Sequence, residues 1–117
     1  MEKEGNLILD LTFDFAIKII DFCELLEERR KYVIAKQLLR SGTAVGSMAN
    51  EAQDSESKAD FIHKLKIGAK EARETRYWLR LCQHSKSYPF DDSLLTDLDS
   101  IQKVLNKIIA TSKKNKM

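Results

Sequence analysis

The chain has 117 residues, 43% of them hydrophobic and 32% charged, enough for one domain with its own core and too apolar for a disordered polymer. Four Gly and one Pro leave little material for turns, which favours a few long helices over many short strands. The net charge of +2 hides a segregation: residues 1–28 balance at −6, residues 29–53 at +4 and residues 58–86 at +5.

Met1-Glu-Lys-Glu-Gly-Asn6 lacks the basic and apolar regions of a signal peptide, and no apolar run approaches the ~20 residues of a bilayer span. Cys23 and Cys82 form neither a CxxC pair nor a disulfide framework. A cytoplasmic protein with buried, inert thiols and no membrane association is the expectation.

The first predicted helix runs from about Asp10 to Arg29. Leu11, Phe15, Ile19, Phe22 and Leu26 make one apolar stripe at helical spacing. Phe13, Ile17 and Ile20 make a second on nearly the opposite side. A bundle helix needs only one apolar face, so the second stripe points to self-association, the alternative being that neighbouring helices wrap both.

The second helix is expected from about Val33 to Gln53. Ile34, Leu38, Val45, Met48 and Ala52 follow heptad-like spacing, beside Ala35, Leu39, Gly42, Gly46 and Ala49. Glycine inside a helix costs about 1 kcal/mol against alanine, so Gly42 and Gly46 read as a close helix approach. Asp54-Ser-Glu-Ser57 breaks the pattern, and Ser57-Lys-Ala-Asp60 is a capping-box variant.

The third helix spans about Lys58 to His84, with Phe61, Leu65, Gly68, Ala72, Leu79 and Cys82 towards the core. Its small central residues should meet the glycines of the second helix if the two are antiparallel. Its other face carries His63, Lys66, Lys70, Arg73, Tyr77, Arg80 and His84 within an arc of roughly 100°. Cations interrupted by one ring suit a phosphate backbone and a stacked base; the competing reading is an ordinary solvated face. A loop around Pro89 follows, with Asp91 and Asp92 placed to cap a fourth helix from about Ser93 to Thr111. Leu94, Leu98, Ile101, Leu105 and Ile108 make its stripe, and lysines 113, 114 and 116 end the chain. Four amphipathic helices with short loops predict an all-α, up-down-up-down bundle.

Leu38-Leu-Arg-Ser-Gly-Thr-Ala-Val-Gly46, Asn50-Glu-Ala-Gln53, Ser57-Lys-Ala-Asp-Phe-Ile-His-Lys-Leu65 and Lys70-Glu-Ala-Arg-Glu-Thr-Arg-Tyr-Trp-Leu79 resemble the bacterial proteins of 23S rRNA intervening sequences, the S23 ribosomal protein-like family. The resemblance covers about residues 10–112 and implies a left-handed four-helix bundle, a ring-shaped homo-oligomer (a pentamer) and no enzymatic activity. A related group serves diversity-generating retroelements, which implies RNA or DNA and a polymerase as partners. Met48 departs from the family pattern, where a polar Asn is common.

No constellation for catalysis is apparent. His63 and His84 lie 21 residues apart on one helix, more than about 30 Å, and no HxxxH, ExxH or CxxC pair offers a metal or cofactor site. Ser41 has no nameable catalytic partner and reads as packing. Glu71 and Glu74 share a flank with Trp78 and read as ion-pair partners of Lys70 and Arg73 or, with Trp78, as part of a subunit interface. On the interface reading, Glu74→Lys loosens the oligomer. The functional expectation is a nucleic-acid-binding oligomer, RNA first. The rival is a protein-interaction scaffold whose basic stripe meets an acidic protein surface.

Overall fold

The computed structural model describes residues 2–114, with side chains from Leu7 onward. It consists of α1 (Glu2–Glu28), α2 (Tyr32–Ala52), α3 (Lys58–His84) and α4 (Asp92–Lys114), and contains no strand among the described residues. Each helix packs along the two next to it in the order α1-α2-α3-α4-α1, while the diagonal pairs α1/α3 and α2/α4 do not meet. The result is an antiparallel four-helix bundle 52 Å long and about 20 Å across, from principal extents of 52 × 21 × 19 Å.

The core is most of the expected stripes, with Leu11, Ile34, Met48 and Phe61 only half-buried at its margin. Phe15, Ile19 and Leu26 of α1, Leu38 and Val45 of α2, Leu65 and Leu79 of α3, and Leu94, Leu98, Ile101 and Leu105 of α4 are fully buried. Two helices run beyond their expected ends. α1 begins eight residues early because Ile8 continues the stripe one turn before Thr12 and is itself buried. α4 continues to Lys114 because Ser112 still closes the end of the core.

The helix ends follow capping chemistry. Ser57 Oγ accepts from Asp60 N–H at 3.0 Å, and Asp60 Oδ2 accepts from Glu56 N–H at 3.3 Å. Asp91 Oδ1 accepts from Ser93 N–H at 2.9 Å at the start of α4. α1 closes with Lys31 N–H on Leu26 O at 2.8 Å and Arg30 N–H on Glu27 O at 2.9 Å. That is the Schellman pattern, with Arg30 at φ 64° where glycine is usual.

The glycines of α2 correct the sequence-based pairing. Gly42 and Gly46 face α1 rather than α3: a Cβ on Gly42 would lie 3.0 Å from Ile19, and one on Gly46 would lie 3.2 Å from Thr12. The glycine facing α2 from α3 is Gly68, which abuts Met48 and the Val45 carbonyl at 3.5 Å. Met48 packs there as an apolar side chain, half-buried.

The α2–α3 seam is instead polar at its middle. Thr75 Oγ1 donates to Ser41 Oγ at 2.9 Å, both side chains being fully buried. Ser41 is thus a packing residue with a hydrogen-bond partner, as its position suggests.

Candidate nucleic-acid interface

All seven side chains of the α3 stripe are exposed: His63, Lys66, Lys70, Arg73, Tyr77, Arg80 and His84. The core stripe of α3 turns Leu65, Gly68, Ala72, Thr75, Leu79 and Cys82 inward, which directs the cationic positions out by default. Among the described residues, none of Lys66, Lys70, Arg73 and Arg80 forms an ion pair with a carboxylate.

Cations beside the helix seams behave differently. Arg40 of α2 reaches Glu74 at 2.6 Å and Glu71 at 3.2 Å. Arg76 bonds Asp99 and Gln102 on α4, Lys18 bonds Asp97 at 2.6 Å, and Lys64 bonds Asp60 at 3.1 Å. Arg40, Arg76 and Lys18 are therefore matched across helices and Lys64 within α3, whereas Lys66, Lys70, Arg73 and Arg80 on its outer face have no ion-pair carboxylate among the described residues.

Two cations from outside the stripe join its flank. The C-terminal turn of α4 brings Lys113 beside Lys66, and a side-chain hydrogen bond with Lys66, together with its like charge, holds the Lys113 ammonium below its usual pKa. Arg76 lines a groove of about 400 Å³ together with Arg73, Tyr77, Arg80, Leu81 and His84. Tyr77 is 59% exposed, and its ring meets Trp78 edge to face with centroids 5.3 Å apart.

Glu71, Glu74 and Trp78 sit together, half-buried on the α2 side of α3. The cation that hydrogen-bonds them is Arg40 rather than Lys70 or Arg73, across the α2–α3 seam. Trp78 Nε1–H donates to Glu74 Oε2 at 3.3 Å. The Arg40 and Trp78 hydrogen bonds hold the Glu74 carboxyl below the usual carboxylate range.

Phe13, Ile17 and Ile20 are 65%, 46% and 40% exposed on α1. Leu39 of α2 is also exposed and lies three residues before Gly42, along the side of α2 that faces α1, so it extends this patch. Asp10, Asp14, Asp21, Glu24 and Glu28 are exposed on the same helix. Because α1 and α3 are diagonal, the acidic and apolar face lies across the bundle from the basic one.

Sequence reasoning left Leu81 and Arg76 outside the stripe, although Leu81 is four residues beyond Tyr77 and so detectable by spacing. Arg40 carried no local signal, since its partners are 31 and 34 residues away.

Burial pushes the Cys23 thiol up to about 12 and the Cys82 thiol up to about 11. Among the described residues there is no cluster of three or more His, Cys, Asp and Glu that would hold a metal. No described helix is long and apolar enough to cross a membrane.

A family model for 23S rRNA-intervening sequence proteins matches residues 4–107. The crystal structure of a protein of unknown function from the S23 ribosomal protein family of Bacteroides thetaiotaomicron VPI-5482 is similar at 38% identity and a TM-score of 0.86, covering 92% of this chain and 98% of that one. No curated protein matches. With the family pattern running through nearly the whole bundle, the chain belongs to the 23S rRNA-intervening sequence protein family.

Proposed function

We propose that the protein is a non-enzymatic, cytoplasmic homo-oligomer, a pentameric ring, that binds nucleic acid through the basic stripe of α3. What carries this is a bare cationic row. Lys66, Lys70, Arg73 and Arg80 stand exposed without carboxylate partners among the described residues, while cations at the helix seams are paired. Lys113 thickens the row at one end and Tyr77 supplies a ring near the other. RNA is put ahead of DNA on the family's name alone, 23S rRNA-intervening sequence protein. Assembly is supported by Phe13, Ile17 and Ile20, an apolar face that the single chain leaves open to water. Repeating the stripe around a ring multiplies weak phosphate contacts through multivalency.

The test is RNA and DNA binding by fluorescence anisotropy across a salt series, with the mass checked by light scattering at each point. Phosphate contacts by four cations per copy give a slope of log affinity against log salt steeper than about −2.5 for a single strand. Binding that is absent, or indifferent to salt, overturns the nucleic-acid reading.

A second reading is favoured by the acidic residues beside Phe13 on α1. In a head-to-tail assembly, Asp10, Asp14 and Asp21 of one copy would cover the α3 stripe of the next, making the stripe an interface for acidic protein surface. Loss of assembly, rather than loss of RNA binding, on reversing Lys66, Lys70 and Arg73 to Glu would favour it.

A further inference from the structure

We propose that the C-terminal half of the α3 stripe is a pocket for one unpaired base, which makes the protein selective for single-stranded over duplex nucleic acid. This rests on the nucleic-acid reading of α3 and divides the stripe into two unlike halves.

The N-terminal half presents the imidazole of His63 and the ammonium groups of Lys66 and Lys70, with Lys113 beside them, and no shaped cavity or stacking ring. Ammoniums on flexible stems act as point charges that accept a phosphate in any backbone geometry. The C-terminal half presents a shallow, open groove of about 400 Å³ between side chains of α3 alone, room for one base face rather than an enclosed ligand. Tyr77 and Leu81, one turn apart, give it an apolar side, and Arg73 and Arg80 stand about one turn before and after the ring. A base laid on Tyr77 would have a guanidinium for the phosphate on either side.

The ring is also held ready. Trp78 meets Tyr77 edge to face at an interplanar angle of 66°, leaving the ring 59% exposed. Trp78 is in turn bonded to Glu74, and Glu74 to Arg40 on the next helix. An aromatic side chain already fixed by its neighbours loses less freedom on binding. Arg76, committed to Asp99 and Gln102, lines the groove as a braced wall rather than a mobile charge.

A duplex cannot use this arrangement. Its base faces are stacked on one another and it offers a protein phosphates and groove edges. A single strand offers both phosphates and a free base face, and stacking is tolerant of base identity.

The experiment compares an unstructured mixed-sequence RNA with a hairpin-closed RNA duplex of equal phosphate count, at one salt concentration. The wild type, Tyr77→Ala and Tyr77→Phe are titrated with each. Tyr77→Ala weakens single-strand binding about 5- to 100-fold and leaves duplex binding within about twofold, while Tyr77→Phe retains the wild-type preference. Trp78, the chain's one tryptophan, changes its fluorescence with the single strand and not with the duplex. Equal losses on both nucleic acids, or no loss on either, overturn the base pocket while the basic stripe stands. Failure of the wild type to bind either nucleic acid overturns the stripe and the pocket together.

Discussion

α1 and α3 are both 27-residue helices, they occupy diagonal corners of the bundle, and each has a second stripe beyond its core stripe. On α1 that stripe is Phe13, Ile17 and Ile20 with carboxylates around it; on α3 it is a cationic row around one tyrosine. An apolar stripe in water is unfavourable by roughly 25 cal/mol for each Å² left uncovered, so it calls for a permanent partner. A cationic stripe is well solvated alone and gains a partner only where an anion displaces its counterions. One face is therefore suited to constant assembly and the other to reversible, salt-sensitive binding.

The largest effect separates the two faces by charge. Lys66→Glu, Lys70→Glu and Arg73→Glu together lower RNA affinity more than about 100-fold, since three contacts are lost and three repulsions gained. The melting temperature stays within about 2 °C, because none of the three pairs with a carboxylate among the described residues. Asp10→Lys, Asp14→Lys and Asp21→Lys on α1 leave RNA affinity unchanged or raised. Equal loss from both triple variants would erase the distinction.

The next effect acts on the apolar face. Phe13→Glu removes about 2–3 kcal/mol of burial from each contact it makes, roughly a 100-fold weaker assembly. Light scattering then reports a mass near 13.5 kDa at concentrations where the wild type is larger. A wild type that is itself a single chain would break the comparison at its α1 end.

These two faces were legible in the sequence because each follows from 3.6-residue periodicity within one helix. Interhelical matters were less so. Periodicity placed Gly42 and Gly46 on a packed side of α2 but could not say which neighbour they met, and the structure turns them to Ile19 and Thr12 of α1. The Arg40–Glu74 pair and the Ser41–Thr75 bond each join residues 34 apart, a distance that local spacing does not register. The early start of α1 was hidden because Leu7, Ile8 and Leu9 are all apolar, a run without period, and only Ile8 is fully buried.

The two seams of α2 respond oppositely to one added methyl. Gly42→Ala forces a Cβ to within 3.0 Å of the buried Ile19 side chain. Overpacking there costs about 1–3 kcal/mol and outweighs the helical preference for alanine, so the melting temperature falls. Gly68→Ala meets Met48 and Val45 at an ordinary 3.5 Å. It keeps the propensity gain of up to about 1 kcal/mol and raises the melting temperature by about 3–5 °C. The α1–α2 seam is thus the tight one, and calorimetry on the two variants reads the difference by sign.

The smallest effect belongs to Glu74, which the sequence offers equally as a subunit contact and as an internal ion-pair partner. Its carboxylate bonds both Arg40 and Trp78 in its own chain. Exposed pairs of this kind contribute about 0.2–1 kcal/mol, so Glu74→Gln lowers the melting temperature by no more than a few degrees at neutral pH. The folded carboxyl is held below its ordinary range, so its contribution is present above the unfolded carboxylate pKa and is lost as pH falls through the folded one. The gap between wild type and Glu74→Gln accordingly closes on acidification. Glu74→Lys adds the discriminating readout: an unchanged oligomer mass assigns the residue to the α2–α3 seam alone, while a smaller mass shows that the acidic flank of α3 also faces a neighbouring copy, leaving its cationic side as the surface open to an anionic ligand.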